Sequence, residues 1–490
     1  MRSLTLLSVL FPILAGGGLL IRRPEDRETR HRWALVSVFV GAALVLSTAL
    51  CSARFGPDAL AFRAAALSRH LVIAFRPDGP GLVFGAIIGV LWPVTTVFAL
   101  SYMKHAGREN LFYGFFTMSF GIVAGIAYSA NFFTLYLCYE LMTLATLPLV
   151  MHEMDDKARW AGKLYILYST TGAALIFIFL MVLCRCTDSL GFVYGGILDP
   201  ARIAGHEGQL RAVFVLAFFG FGVKAAIFPF YRWLPAASVA PTPVTALLHA
   251  VAVVKSGAFA VMRLVYFGFG CGLLRGTWAQ ETAMLAAAFT IVFGSALALR
   301  TPHLKRRLAY STVANLSYIL LAFASMSRMG LTAGLLHMIF HAVTKITLFF
   351  CAGAMLHHNR LEYVYDLEGL AKRMPCTCAV FAIFSVALVG IPPFGAFLSK
   401  WLTAAAAAAN GGVAGHLGTA SLIVSAVLAM LYTQSVVVRL FFPLRTAKPQ
   451  PAEMHEADRL MTGTLMFLTV LLVALSLCSR MIEGWIGGLV

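Results

Sequence analysis

Four lysines and one glutamate lie within long apolar stretches of this 490-residue sequence. They are Glu140, Lys224, Lys255, Lys345 and Lys400. A charged side chain at the centre of a membrane helix costs roughly 2.5–3.5 kcal/mol on insertion scales, so such residues usually have a function. Amine and carboxyl groups exchange protons, and burial shifts each of them toward its neutral form. These residues therefore predict a proton relay inside a membrane.

Three histidines accompany these charges: His249, His337 and His341. His337, His341 and Lys345 follow one another at intervals of four residues, so on an α-helix they share one face over about 12 Å of its axis. Imidazoles in such a column can pass a proton to one another through water. The alternative for His249 is a structural hydrogen bond between helices. The alternative for each lysine is an ammonium group that reaches the head-group region.

The composition requires helices that cross a membrane. Hydrophobic residues make up 60% of the chain and charged residues 12%, whereas soluble domains have about 45–50% and 25%. A span needs about 20 apolar residues, and on this basis the sequence predicts an all-α polytopic membrane protein with about 14 transmembrane helices. Their predicted bounds are 3–21, 33–51, 79–103, 111–128, 131–151, 162–184, 210–230, 242–267, 276–299, 304–325, 329–356, 375–401, 414–442 and 460–482.

The net charge of +17 reflects membrane topology rather than nucleic-acid binding. If the N-terminus lies outside, the odd-numbered connections between helices are cytoplasmic. These connections carry roughly twice as many lysines and arginines as the even-numbered ones, which follows the positive-inside rule. The charge pattern predicts both termini on the outer side and basic loops in contact with anionic lipids. We expect no nucleic-acid partner.

The sequence offers no recognisable site for a metal or a redox cofactor. It has nine cysteines, but Cys184/Cys186 and Cys376/Cys378 form CxC pairs without further ligands nearby, which is not the spacing of an iron–sulfur or zinc site. No glycine-rich nucleotide-binding motif opens a βαβ unit. We therefore expect no cofactor on this chain and any redox chemistry on partner subunits.

Two predicted helices are interrupted by proline and glycine at comparable places. The first contains FGFGVKAAIFPF (219–230) and the second GIPPFGAFLSKW (390–401). Paired interruptions of this kind indicate a transporter built from inverted repeats. Broken backbone at membrane depth must be buried in protein or line a wet cavity, so both interruptions are candidate functional sites. Outside the spans, a short β-hairpin or a surface helix is expected at 60–74.

Several stretches resemble the antiporter-like membrane subunits shared by respiratory complex I, Mrp-type cation/proton antiporters and group 4 membrane-bound hydrogenases. The resemblance covers almost the whole chain and rests on YELMTLATLPLV, VKAAIFPFYRWLPAASVAPTPVTALLHA, LKRRLAYSTVANLSYI, HMIFHAVTKITLFFCAGA and GIPPFGAFLSKW. It implies two inverted five-helix repeats, helices 4–8 and 9–13, with helices 7 and 12 broken. The implied regions are 1–103, 104–267, 268–442 and 443–490.

The resemblance also implies a role for each site residue. In the family, a glutamate on helix 5 modulates a lysine on helix 7, and residues on helix 8 bridge two half-channels. Residues on helix 11 continue this axis, and a lysine on helix 12 ends it. The matching residues here are Glu140, Lys224, Lys255 with His249, His337 with His341 and Lys345, and Lys400.

We therefore expect a proton-translocating membrane subunit of a complex I-like or Mrp-like assembly in the plasma membrane of a prokaryote, with proton/sodium exchange as a variant. Its partners would be other membrane-arm subunits. One alternative is a membrane-arm subunit of a group 4 hydrogenase or formate hydrogenlyase. The other is a scaffold subunit that conducts no ion. The complete set of five charged sites argues against a scaffold, since a scaffold needs only satisfied polar groups.

Overall fold

The computed structural model describes residues 1–443 and 454–489, and these residues form an α-helical membrane protein. The long helices follow the predicted segments, and we number them 1–14 accordingly. Within the described residues they are helix 1 (Arg2–Arg22), helix 2 (Arg27–Phe55), helix 3 (Gly79–Tyr102), helix 4 (Glu109–Ala127), helix 5 (Phe132–Val150), helix 6 (Asp156–Cys186), helix 7 (Glu207–Gly222), helix 8 (Thr242–Ala250 and Val253–Arg263), helix 9 (Trp278–Arg300), helix 10 (Leu304–Ala324), helix 11 (Arg328–Asn359), helix 12 (Pro375–Val389 and Gly395–Ala408), helix 13 (Gly412–Phe441) and helix 14 (Arg459–Leu477). The connection before helix 14, in the predicted region 443–490, lies largely outside the described residues.

Shorter elements occupy the connections. They are the strands Phe62–Ala66 and Val72–Phe75, the helical turns Pro57–Leu60, Met103–His105, Pro200–Ile203, Trp233–Ala236, Ala237–Val239, Cys271–Leu274, Val364–Leu367 and Leu370–Lys372, the π-helical turn Leu264–Phe269 and the C-terminal helix Ser479–Leu489. The two strands pair antiparallel. Of the two forms expected for 60–74, the hairpin is confirmed.

Eleven helices of the described chain are long and apolar enough to cross a membrane. The numbered helices outside this set are 7, 10 and 12. Helix 12 is broken into two shorter pieces, helix 7 ends early at Gly222, and helix 10 begins with the polar sequence LKRR. The chain is a polytopic membrane protein, as its composition predicts.

The connections meet at two opposite ends of the helical bundle. At one end the even-numbered connections lie beside both chain termini. There Thr5 Oγ1 donates a hydrogen bond to the Leu60 carbonyl (2.9 Å), and the Arg328 guanidinium donates one to the Gly487 carbonyl (2.8 Å). The N-terminus and the C-terminal helix therefore lie on the same side, as the predicted topology requires.

The odd-numbered connections meet at the other end, which we call the basic face. Arg27 at the start of helix 2 pairs with Glu109 at the start of helix 4 (3.0 Å). The Leu304 amide at the start of helix 10 donates to the Glu362 carbonyl after helix 11 (2.9 Å). The basic face thus joins connections that are far apart in sequence and sets the depth of the helices that start there.

Capping side chains fix the start of two helices that carry predicted site residues. Asn131 Oδ1 accepts a hydrogen bond from the Thr134 amide (2.8 Å) before helix 5, and Ser327 Oγ accepts one from the Gly330 amide (3.0 Å) before helix 11. Such caps satisfy amide groups that have no partner inside the helix. They set the helical register of Glu140 and of the histidines on helix 11.

Helices 7 and 12 break at the proline and glycine residues of their predicted interruptions. After helix 7 ends at Gly222, the chain forms turns until the helical turn Trp233–Ala236. Helix 12 is interrupted between Val389 and Gly395. The last carbonyl groups before each interruption have no partner within the helix and can bind a cation. Residues 228–229 and 391–393 of the interruptions are themselves exposed.

Helix 8 is interrupted within its span, and that span, Thr242–Phe269, agrees with the predicted bounds 242–267. The break falls at Val251 and Ala252, neither of which is a helix-breaking residue. The interrupted chain after helix 7 crosses helix 8 closely: a Cβ atom on Gly257 would lie 2.6 Å from the Ala225 amide nitrogen. The break in helix 8 therefore coincides with close packing against the interrupted chain after helix 7 and not with a helix-breaking residue.

Candidate functional site

Lys255 and His341 meet in the interior of the bundle. Lys255 lies in the first turn after the break in helix 8, and its Nζ is 2.5 Å from Nδ1 of His341 on helix 11. Both side chains are buried, with 0% and 2% of their surface exposed. A hydrogen bond between two nitrogens requires that one carries a proton and that the other offers a lone pair. The pair therefore brings two bases within hydrogen-bond distance of each other.

The contact continues along helix 11 to helix 12. The rings of His341 and His337 are 5.9 Å apart between centroids and inclined by 30°. Nδ1 of His337 lies 2.9 Å from Ser399 Oγ, and Ser399 directly precedes Lys400. The ring of Tyr318 lies between the two sites, 5.5 Å from the His337 ring and 5.1 Å from the Lys400 Nζ. Two predicted histidines and two predicted lysines thus form a series of neighbouring groups, in which the Tyr318 ring and not a hydrogen bond lies between His337 and Lys400.

The break in helix 12 supplies the partners of Lys400. Its partly buried ammonium donates hydrogen bonds to the carbonyls of Leu388 (2.6 Å) and Val389 (3.0 Å), at the end of the first half of the helix. The last carbonyls of a helix lack partners within it and carry a partial negative charge. Gly390, at φ 85°, leaves room for the lysine chain, since a Cβ atom there would lie 2.9 Å from Lys400 Cδ.

Lys224 occupies the corresponding interruption after helix 7. Its buried ammonium donates a hydrogen bond to the Tyr139 carbonyl of helix 5 and lies 3.5 Å from the centre of the Tyr139 ring. Glu140, the next residue, is not its hydrogen-bond partner: Oε1 of Glu140 is buried and has no partner among the described residues. The predicted glutamate and lysine are thus neighbours through Tyr139 but are not in contact.

Lys345 shares a helix face with His337 and His341, yet its side chain reaches a different helix. The fully buried ammonium donates hydrogen bonds to the Leu308 carbonyl (3.1 Å) and to Ser311 Oγ, both on helix 10. The histidine that lies one turn away, His341, contacts Lys255 instead. Helical spacing therefore predicted the shared face correctly but not the partner of the lysine.

His249 lies in the last turn of the first half of helix 8. Its ring packs edge-on against Phe349 (5.0 Å between centroids), and neither ring nitrogen has a hydrogen-bond partner within residues 1–443 and 454–489. The structural alternative, a hydrogen bond between helices, is not formed. His249 stays a predicted member of the proton path.

Four further residues belong to the site that the sequence analysis did not single out. They are Tyr139, Ser311, Tyr318 and Ser399. Ser399 could have been found because it is adjacent to Lys400. Ser311 and Tyr318 lie seven residues apart within LKRRLAYSTVANLSYI, which puts them on one helix face. Tyr139 contributes a backbone carbonyl and a ring, which have no distinct pattern in the sequence. Its neighbour Glu140 is therefore the only sequence feature that indicates Tyr139. No three His, Cys, Asp or Glu side chains of the described chain form a metal site.

The fold defines a polytopic membrane protein, and its interior holds a buried series of lysines and histidines. Residues 129–428 match the family described as NADH:quinone oxidoreductase/Mrp antiporter, transmembrane. The chain belongs to this family. It is 30% identical over 399 residues to NADH-quinone oxidoreductase subunit N of Desulforudis audaxviator (strain MP104C), which covers 79% of this chain and 77% of that protein.

Two further similarities point to different assemblies. Hydrogenase-4 component B of Escherichia coli (strain K12) is 32% identical over 349 residues, which is 68% of this chain but only 50% of that protein. A chain in the structure of the Mrp complex from Dietzia sp. DQ12-45-1b has the same fold, with a TM-score of 0.85 over 100% of this chain and 97% of that chain at 20% identity.

Proposed function

We propose that this chain translocates protons across the membrane as one subunit of a complex I-like or Mrp-like assembly. The observation that carries the proposal is the series of neighbouring groups from Lys255 through His341 and His337 to Lys400. Two neighbouring buried bases cannot both hold a proton without strong repulsion, so a proton on one of them is readily passed to the other. The family relationship and the fold of the Mrp complex support the same function.

The contacts suggest how a proton moves along this series. An ammonium on Lys255 gives its proton to Nδ1 of His341 across the 2.5 Å hydrogen bond and becomes a neutral amine. The imidazolium then releases a proton from Nε2 toward His337 through an intervening water molecule. From His337 the proton passes by way of the Ser399 hydroxyl to the amine of Lys400. Each step leaves the donor neutral and ready for the next proton.

We propose that the architecture has fourteen spans and two inverted repeats, helices 4–8 and 9–13, within the regions 1–103, 104–267, 268–442 and 443–490. The two interruptions support this arrangement. Each holds one lysine whose ammonium is bound by a backbone carbonyl. The pair Lys255–His341 would then join the first repeat to the second.

Glu140 and Lys224 would regulate how protons enter the series. Each charge is unfavourable to bury alone, and the two compensate when they approach. The structure has the Lys224 ammonium on the Tyr139 carbonyl, which corresponds to the separated state of such a switch. Movement of Glu140 toward Lys224 would hold a proton there, and separation would release it toward Lys255 and His249.

The assembly decides between this function and its alternatives. The similarity to hydrogenase-4 component B keeps a group 4 hydrogenase or formate hydrogenlyase as the second candidate. In either assembly we place redox cofactors on partner subunits, both termini on the outer side of a prokaryotic plasma membrane, and lipids at the basic face. Mass spectrometry of the intact complex would reveal a nickel–iron subunit, a flavoprotein or membrane partners alone.

Transport by the assembled complex in vesicles tests the function. Lys255→Met should abolish proton translocation while assembly persists, because methionine keeps the length and apolarity of the side chain. Lys163→Met is the matched control, since Lys163 is exposed on helix 6. Wild-type proton translocation by Lys255→Met would contradict the proposal and favour the scaffold. Sodium uptake in the same vesicles separates proton translocation from proton/sodium exchange.

A further inference from the structure

The ammonium of Lys345 lies nearer to the basic face than the Lys255–His341 pair. Its partners Leu308 and Ser311 are four and seven residues from the start of helix 10 at the basic face, which is about 6 and 10 Å along the axis. His341, which contacts Lys255, is four residues farther than Lys345 from the basic-face end of helix 11, or about 6 Å along its axis. Of the two lysines, Lys345 is therefore the one that a proton from the basic face reaches first.

Helix 10 has a polar face that leads from the basic face to Lys345 and beyond. It consists of Arg307, Ser311, Asn315 and Tyr318, whose positions fall within about 80° of one another around the helix. All four side chains are buried. A polar face buried along several turns needs partners throughout. One of these partners is the ammonium of Lys345, at Ser311.

Arg307 lies at the end of this polar face that is nearest to the basic face. Its guanidinium donates hydrogen bonds to the Thr301 carbonyl (2.8 Å), the Tyr432 carbonyl (3.1 Å) and Ser435 Oγ (3.1 Å). These groups belong to the connection between helices 9 and 10 and to helix 13. They form a polar link between the basic face and Ser311, and Arg307 itself stays charged throughout because a guanidinium does not release its proton.

The hydrogen bonds of Ser311 suit a group that alternates between protonation states. Its hydroxyl accepts a hydrogen bond from the Lys345 ammonium and donates one to the Leu308 carbonyl (2.8 Å). When Lys345 is a neutral amine, the same hydroxyl can turn and donate to the amine lone pair. Both forms of Lys345 are thus held at one place.

Apart from the phenol of Tyr432, which lies beside Ser311, the titratable groups around Lys345 are bases. They are His341 one turn away on helix 11, Lys255 and His249 on helix 8, and Lys400 on helix 12. No carboxylate from the described residues acts on Lys345. A proton that arrives at Lys345 therefore meets repulsion from any proton already on its neighbours, which favours passage of one proton at a time.

We propose that Lys345 is a second proton-loading group of the relay, in addition to Lys224, open to the basic face along the polar face of helix 10, with Ser311 as its positioning residue. The amine takes a proton from water beside Ser311, becomes an ammonium, and returns to the amine when that proton passes to His341. This inference deepens the proposed function and rests on it. It assigns Lys345 to loading, not to a link between the histidines and Lys400.

Side-specific pH dependence of transport tests the assignment. In vesicles of both orientations that contain the assembled complex, Ser311→Ala should slow transport about tenfold, the factor for a barrier raised by about 1.4 kcal/mol. Lowering the pH at the basic face by about one unit should restore the rate, because loading is first order in protons. Lowering the pH at the opposite face should not restore it.

Thr312→Val is the matched control. Thr312 is buried next to Ser311 and its hydroxyl also donates to the Leu308 carbonyl (3.0 Å), but it does not touch Lys345. This variant should keep the wild-type rate and pH profile. Two results would overturn the assignment of Lys345. One is a transport rate of Ser311→Ala that responds to pH at the opposite face, and the other is a rate and pH profile equal to those of Thr312→Val. If Lys255→Met also transports normally, the proposed function fails as well.

A labelling experiment covers the case in which Ser311→Ala impairs folding. Ser311→Cys places a thiol at the proposed entrance, and the assembled wild-type complex with its nine cysteines gives the background. We expect a small, membrane-impermeant thiol reagent to label this position from the basic face and not from the opposite face. The denatured complex is the positive control, in which the thiol should be labelled. Labelling of the native complex only from the opposite face, or from neither face, would contradict access along helix 10.

Discussion

Lys255 Nζ lies 2.5 Å from His341 Nδ1, and this contact joins helix 8 to helix 11. It is a direct side-chain hydrogen bond between two predicted members of the relay. Because two protonated bases at this distance would repel each other, the contact holds one proton between the two residues. The two halves of the proposed pathway therefore depend on the protonation state of a single pair.

The pair predicts that Lys255 and His341 act as one unit. Lys255→Met and His341→Gln should each reduce proton translocation at least about tenfold, since an added barrier of about 1.4 kcal/mol slows a step by that factor. The double variant should be little worse than either single variant, because contacting residues that share one step are not additive. Transport rates of all three variants in vesicles provide the measurement, and losses that multiply would show two independent steps.

Ser399 is predicted to carry the proton from His337 to Lys400. Ser399→Ala removes the hydroxyl that lies 2.9 Å from His337 Nδ1 and should reduce translocation several-fold without affecting assembly. Thr403→Val is the control, one turn further along the same half of helix 12, where the hydroxyl only donates to the Ser399 carbonyl (2.8 Å). Equal rates for the two variants, measured in the same vesicles, would remove Ser399 from the pathway.

The sequence predicted those parts of the molecule that depend on composition and spacing. Apolar stretches located the helices, and proline with glycine located the interruptions of helices 7 and 12, because these effects are local along the chain. The charges were recognised for the same reason, since a lysine such as Lys224 inside an apolar run needs no partner to be noticed. The shared face of His337 and His341 followed from helical geometry.

The partners of these charges could not be predicted, because they depend on packing between helices distant in sequence. Lys345 shares a face with His341 but contacts Ser311, and only the position of helix 10 decides this. The break in helix 8 is another example, since Val251 and Ala252 are not helix breakers. The carbonyls that bind Lys224 and Lys400 have no signature in the sequence at all, because every residue has one.

Gly257 is predicted to be essential for the crossing of helix 8 and the interrupted chain after helix 7. A methyl group there would lie 2.6 Å from the Ala225 amide and 2.9 Å from the Lys224 carbonyl carbon, so Gly257→Ala should destabilise the protein by about 1–3 kcal/mol. Gly463→Ala on helix 14 is the control, since no atom lies within 4 Å of the added group. Thermal unfolding of the purified complex measures the difference, and equal midpoints would contradict close packing at Gly257.

Lys345→Met is predicted to leave the complex assembled while proton translocation falls at least about tenfold. Methionine fits the apolar surroundings, and the Ser311 hydroxyl keeps its bond to the Leu308 carbonyl, so no buried polar group loses its last partner. Assembly is measured by size of the purified complex and translocation in vesicles, with Lys163→Met as control. Intact assembly with unchanged translocation would exclude Lys345 from the relay.

Glu140 and Lys224 provide the last prediction, because they are neighbours without being in contact. The Lys224 ammonium binds the Tyr139 carbonyl, and Glu140 is the next residue along helix 5. If Glu140 approaches during turnover and holds the proton on Lys224, then Glu140→Gln removes the switch as completely as Lys224→Met. Each variant should therefore impair translocation to a similar extent.

The double variant separates this switch from two independent roles. It should be little worse than either single variant, because both substitutions remove the same interaction. Glu153→Gln, at an exposed glutamate just beyond helix 5, is the matched control and should behave as the wild type. Translocation by all four variants is measured in vesicles with the assembled complex. Losses that multiply in the double variant would mean that Glu140 and Lys224 act separately, and a regulated Glu140–Lys224 pair would then have to be abandoned.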